Sequence, residues 1–221
     1  MLRPSYLLFD LDGTLVDSKE GIYASVLYAL QRLGLPAADE SVLRKMIGPP
    51  LRESFRNFFA LSEDDADEAV RQYRELYSSS AMFLCTAYPG VSEMLSFLSR
   101  AGFHLLVATS KPERFAVPIL KHLSLANHFS LIAGSTLDKS RDDKSSVIAY
   151  ALASSGLPRG GRALMVGDRH HDVEGAHANG LPAAGVLYGY GSLQELSSAG
   201  AELIVHSPDE LCRIVSDLPE K

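Results

Sequence analysis

The sequence predicts a doubly wound α/β domain, a parallel sheet with helices on both faces, interrupted after its first strand by an all-helical insert. Three observations carry this. From Pro89 onward, short apolar runs alternate with segments of helical periodicity. Those runs are solidly apolar, as strands buried on both faces are. Between the first apolar run and Pro89, the stretches are helical and none reads as a convincing strand.

Taken in order, Tyr6-Leu7-Leu8-Phe9 is the first strand. A long helical pattern runs on from Thr14 through Leu33, ended by Gly34 and Pro36, and three more cover Glu40 to Ile47, Pro50 to Phe59 and Ser62 to Ser80. A helix from Val91 to Arg100 stops at Gly102. The strand from Phe103 to Ala108 ends in Thr109-Ser110-Lys111, and Pro112 opens the next helix in the first-turn position that proline tolerates. A strand Leu131 to Ala133, a helix Lys144 to Ser154 and a strand Ala163 to Val166 follow, the last ending at Gly167-Asp168. Helices from Asp172, Leu193 and Pro208 alternate with strands Ala183 to Val186 and Leu203 to Val205 to finish the chain. The expected division is a core of residues 1–15 and 85–221 and a helical cap of residues 16–84.

Composition narrows the function classes. A net charge of −6 with no basic run argues against nonspecific nucleic-acid binding, while small anions stay open through local charge. No apolar run approaches the roughly 18 residues of a membrane span. The first apolar stretch is too short for a signal-peptide core and is interrupted by Asp10 and Asp12, so a cytoplasmic protein without membrane attachment is expected. Cys85 and Cys212 have neither the count nor the spacing of a disulfide framework or zinc site and read as packing residues.

The chemistry is concentrated at strand ends. In an extended chain residues i and i+2 point to the same side, so Asp10 and Asp12 converge on one ligand while Leu11 turns away. Two like charges this close are tolerated best where a cation holds them or one keeps a proton. A nucleophile beside an acid/base, with a divalent metal, suits the arrangement. In doubly wound sheets ligands bind outside the carboxyl ends of the strands. Thr109, Ser110 and Lys111, Asp168 and Asp172, and Lys144 at a helix start all fall there. An oxygen-rich set of carboxylates fits Mg²⁺ completed by waters and a phosphate oxygen.

Asp10-Leu11-Asp12-Gly13-Thr14, a strand ending in Thr109, a downstream Lys144 and Gly167-Asp168-x-x-x-Asp172 together resemble the haloacid dehalogenase superfamily of phosphotransferases, whose core is Rossmann-like. The resemblance implies that Asp10 attacks phosphorus to form an aspartyl-phosphate and that Asp12 protonates the leaving oxygen, then deprotonates water. It implies a Mg²⁺ held by the Asp10 carboxylate, the Asp12 backbone carbonyl and Asp168, with Asp172 beside or on the metal. Thr109 would bind phosphoryl oxygens and Lys144 would neutralise charge. The dehalogenases proper lack the second carboxylate, so Asp12 implies a phosphoester substrate. A cap between the first and second motifs, together with Thr109-Ser110-Lys111-Pro112 and Ile47-Gly48-Pro49-Pro50-Leu51, looks most like the phosphoglycolate phosphatase-like branch. The implied partner is a small soluble phosphate ester; the alternatives are a 5′-nucleotidase, a β-phosphoglucomutase-like mutase or an inactive binding protein on the same scaffold.

Ser110 and Lys111 are candidate substrate contacts. Leu51, Phe55, Phe58 and Phe59 form an apolar stripe expected to be cap core. Arg52 and Arg56 lie four apart beside it, where like charges call for something anionic, either a substrate at Arg52 or Glu53 at Arg56. His170 and His171 hint at a transition metal, against the hard oxygen character of the site. Gly189-Tyr190-Gly191 lacks a phosphate-loop fingerprint and reads as a loop near the rim of the site.

Overall fold

The structure, a computed structural model, describes residues 1–138, 140–158 and 162–220. In chain order it contains β1 (Tyr6–Phe9), β2 (Val16–Asp17), α1 (Lys19–Arg32), α2 (Glu40–Lys45), α3 (Leu51–Phe59), α4 (Glu63–Ser79), β3 (Thr86–Ala87), α5 (Val91–Arg100), β4 (His104–Pro112) and α6 (Glu113–His122). The remainder is β5 (Leu131–Ser135), α7 (Lys144–Ser154), β6 (Ala163–Gly167), α8 (His170–Ala178), β7 (Ala183–Val186), α9 (Leu193–Ala199), β8 (Leu203–Val205) and α10 (Pro208–Asp217). Two compact units result: Met1–Val16 with Ala87–Lys221, and Asp17–Thr86. Their seams lie one and two residues beyond the expected 15/16 and 84/85, because the chain crosses through the two-stranded sheet of β2 and β3. Strands of two residues have no periodicity to read.

The larger unit is built on a six-stranded sheet in the order β5-β4-β1-β6-β7-β8, parallel throughout. β1 lies between the two halves, where the winding reverses. One face of the sheet, with Leu8, Leu106, Ala108 and Met165, packs on Val147, Ile148 and Ala151 of α7, Val173 and Ala176 of α8 and Leu196 of α9. Alternation gives Leu7, Phe9, Leu105 and Val107, also buried, to the other face. Truncating a side chain such as Leu8 to alanine should cost about 2–5 kcal/mol.

Two local departures from expectation matter for the site. β4 extends through Thr109-Ser110-Lys111 to Pro112, which caps α6 instead of opening it, so those three residues stand on the strand itself. α8 starts at His170 because the Asp172 carboxylate accepts the Arg169 N–H at 3.1 Å, closing the helix start two residues early.

In the smaller unit α4 packs against α1 and α3. Val26, Ala29, Leu30, Phe55, Ala66, Ala69, Tyr73 and Tyr77 are buried, and the rings of Tyr73 and Tyr77 stack at 5.2 Å. The expected stripe on α3 is narrower than predicted: Phe55 is buried, Leu51 and Phe59 are half-buried and Phe58 is exposed. Both cysteines are free thiols.

Candidate active site

Register assembles the site. Phe9 is paired with Val107 on one side and Val166 on the other, so Asp10 and Asp168 leave the carboxyl ends of β1 and β6 while Thr109 stands among the last residues of β4. The Asp10 N–H donates to the Val166 carbonyl at 2.9 Å, carrying the alignment one residue past the strand. The chain then turns sharply, with the amides of Leu15 and Val16 both donating to the Leu11 carbonyl at 3.0 and 2.9 Å. Gly13 takes φ +85° in this turn and lies so close to the Asp168 carboxylate that a side chain there would occupy its place.

Lys144 enters from the first residue of α7, whose N-terminus is capped by Asp143 accepting the Ser146 N–H. Its ammonium lies 2.8 Å from Asp10 Oδ1 and 2.7 Å from Asp172 Oδ1, and donates to the Ala108 carbonyl at 3.1 Å. Burial opposes the charge on Lys144, but Asp10 and Asp172 outweigh it and hold the ammonium above its usual range. Burial, then repulsion from Asp172 and Asp10, raises the Asp168 carboxyl well above the ordinary carboxylate range. Burial and Asp10 push Asp172 up to about 6 against the pull of Lys144.

Asp10, Asp168 and Asp172 each offer a ligand oxygen within 4.8 Å of the others. Asp10 Oδ1, Asp12 Oδ1 and Asp172 Oδ1 are buried and accept no well-directed hydrogen bond, even though Lys144 is within ion-pair distance of two of them. Crowded carboxylates with unsatisfied oxygens are the environment a hard divalent cation relieves, so the residues fit a divalent-metal centre. The Asp12 side chain is outside this trio, because its Oδ2 pairs with Lys111 at 2.8 Å.

Thr109 is buried, and its hydroxyl accepts the Lys111 N–H at 3.2 Å. The Ser110 carbonyl accepts from the Ser135 hydroxyl at 2.7 Å. Arg52 lies in the smaller unit, where Asp67 takes its guanidinium through two nitrogens at 2.5 and 3.1 Å and Glu63 also pairs with it. Arg56 pairs with Glu63 at 2.6 Å. The anionic compensation expected from Glu53 or a substrate therefore comes from α4, whose carboxylates no reading of α3 alone could supply.

Tyr190, in the Gly189-Tyr190-Gly191 loop expected near the rim of the site, reaches Asp168 through its backbone, a contact sequence reasoning did not foresee. Its N–H donates to Asp168 Oδ2 at 2.8 Å, and side chains at Gly189 or Gly191 would run into Asp168. The pair of glycines flanking one residue was the available signal. His170, His171 and Glu174 also bring ligand atoms within 4.8 Å of one another, but His170 Nδ1 is already engaged by Glu195 at 2.7 Å.

The haloacid dehalogenase-like hydrolase model matches residues 7–186. A 5′-nucleotidase of Pseudomonas aeruginosa is 42% identical over 96% of this chain and 92% of its own length. The tyrosine-protein kinase PtkA of Mycobacterium tuberculosis is 40% identical over 94% of this chain and 71% of its own length. Phosphoglycolate phosphatase 1 of Pseudomonas aeruginosa is 32% identical over 94% and 78%. Among solved structures, a predicted phosphatase from Clostridium acetobutylicum superimposes with a TM-score of 0.92 at 45% identity, covering 99% of this chain and 100% of that one. With its motifs at the ends of adjacent parallel strands, the chain belongs to the haloacid dehalogenase-like hydrolase family and is a phosphatase.

Proposed function

We propose that the protein is a Mg²⁺-dependent phosphomonoesterase that hydrolyses small soluble phosphate esters through a phosphorylated Asp10. The observation that carries this is the buried Lys144 bridging Asp10 and Asp172 while Lys111 pairs with Asp12, which gives the two neighbouring carboxylates different surroundings and different roles. Asp10, Asp168 and Asp172, with the Asp12 backbone carbonyl, would hold the metal, which supplies positive charge to the phosphoryl oxygens.

In the first step an Asp10 oxygen forms a bond to phosphorus as the ester P–O bond breaks, and the Asp12 carboxyl gives its proton to the departing oxygen. In the second step Asp12 takes a proton from water, the water oxygen bonds to phosphorus, and the Asp10–phosphorus bond breaks to release phosphate and the free carboxylate. Phosphoryl transfer spreads negative charge over equatorial oxygens, which Lys144 and the Thr109 hydroxyl are placed to meet. Lys111 holds Asp12 between the steps, and Ser110 and Lys111 stand on the same strand end as substrate contacts.

For the substrate, 5′-nucleotides lead, since the relative of that name has the higher identity, and phosphoglycolate-like acids follow. A panel of phosphate esters with magnesium, read by phosphate release, tests the reading. Hydrolysis that stops with EDTA is expected, and no turnover on any member would overturn it.

A further inference from the structure

The segment from Asp168 to Asp172, which leads into α8, carries two of the proposed metal ligands, yet the residues between them are fixed from a distant part of the chain. Glu195, in the first turn of α9, accepts hydrogen bonds from Arg169 Nε at 2.8 Å, from the His170 N–H at 3.0 Å and from His170 Nδ1 at 2.7 Å. Glu195 is itself anchored, its N–H donating to the Ser192 hydroxyl at 3.1 Å. Just upstream, the Tyr190 N–H holds Asp168 directly, and Gly191 packs against the Asp168 carbonyl with no room for a side chain.

We infer that Glu195 is a positioning residue for the metal-binding carboxylates, acting through Arg169 and His170. The inference rests on the reading of Asp168 and Asp172 as metal ligands. Three acceptor contacts from one side chain fix both the backbone and the side chains directly after Asp168. Asp172 then closes the same short segment by accepting the Arg169 N–H. A segment held in this way is ordered before the cation arrives, so binding does not bear the entropic cost of ordering it. Partners that orient ligand residues in this manner typically account for about 10–100-fold in metal affinity.

The test is calorimetric titration of the metal-free protein with Mg²⁺ alone, beside magnesium activation curves. Glu195→Ala should weaken magnesium binding by about 10–100-fold, with the loss falling on the activation constant more than on kcat. Glu195→Gln, which keeps an oxygen acceptor for the His170 N–H, should lose less, and it carries the test if the alanine variant does not fold. Glu210 has a comparable role at the start of α10, its carboxylate accepting the His206 N–H at 2.7 Å. Glu210→Ala should lower the melting temperature without moving magnesium affinity, which separates positioning from general support. Wild-type affinity in either folded Glu195 variant overturns the inference. Asp168→Asn is the reference: if it too binds magnesium like wild type, the metal reading itself fails.

Discussion

Two clusters of opposite charges, one in each unit, are built from similar parts and differ in burial. In the larger unit Lys144 is held between Asp10 and Asp172; in the smaller, Arg52 is held between Glu63 and Asp67. Lys144 and Asp172 expose 5% and 2% of their side chains, whereas Arg52 and Asp67 expose 31% and 61%. Exposed pairs remain hydrated and screened, and contribute little. Buried pairs lose their hydration, and removing one partner leaves an uncompensated charge in the interior. The larger unit keeps Asp10 and Asp172 on one buried lysine, with buried Asp168 close to both carboxylates, at a cost to folding. That is the signature of a site maintained for chemistry, while the Arg52 network links α3 to α4 near solvent.

The predictions sharpen this contrast, beginning with the largest effect. Asp10→Asn removes the proposed nucleophile and should lower kcat by roughly 10⁴-fold or more, measured by phosphate release. Asp12→Asn keeps the proposed nucleophile but removes the proposed acid/base, and kcat should fall by about 10²–10⁴-fold on alkyl phosphates. The loss should be smaller on p-nitrophenyl phosphate, whose leaving group needs no proton; equal losses on the two esters would argue against Asp12 as the acid. Lys144→Ala leaves Asp10 and Asp172 facing each other unpaired and should destabilise the metal-free protein by about 3–5 kcal/mol, read by denaturant unfolding, with turnover of every ester damaged.

The pH prediction follows from the raised carboxyls. Asp172, pushed up to about 6, and Asp168, raised well above the ordinary carboxylate range, bind protons more tightly folded than unfolded. Their folded-state pKa values exceed the unfolded value, so the metal-free protein loses stability as pH rises from about 4 through 6. Protons compete with magnesium for the same oxygens, so magnesium affinity should fall as pH drops through about 6. Thermal melts with Mg²⁺ and with EDTA should therefore differ more at high pH than at low pH. A magnesium effect independent of pH would count against these carboxylates as ligands.

The smallest effect belongs to Arg52→Ala. Its charge is already matched by Glu63 and Asp67, so the melting temperature should move marginally, and kcat/KM should change equally for an anionic ester and p-nitrophenyl phosphate. A selective loss on the anionic ester would show that Arg52 leaves these partners for substrate.

How much of this was legible in the sequence depends on the range of the determining interaction. Asp10, Thr109, Asp168 and Asp172 could be placed because each sits just past or near the end of an apolar run, and parallel register then brings those ends together. Lys144 was readable as the first residue of a helix following a strand. Tyr190 and Glu195 reach the segment after Gly167 from more than twenty residues away, through contacts with no periodicity in the chain. The partners of Arg52 and Arg56 were hidden for the same reason, lying on α4 while local reading offered a substrate for Arg52 and Glu53 for Arg56. β2 and β3 were too short to leave a pattern at all.

The central claim is that the buried cluster exists to move a phosphoryl group onto Asp10. Rapid acid quench of Asp12→Asn turning over p-nitrophenyl phosphate, followed by peptide mapping by mass spectrometry, tests it most directly. The account predicts a phosphoryl group on Asp10, accumulating because the second step lacks its base. A variant that turns over without any phosphoryl group on Asp10, or with it on another residue, would contradict the account.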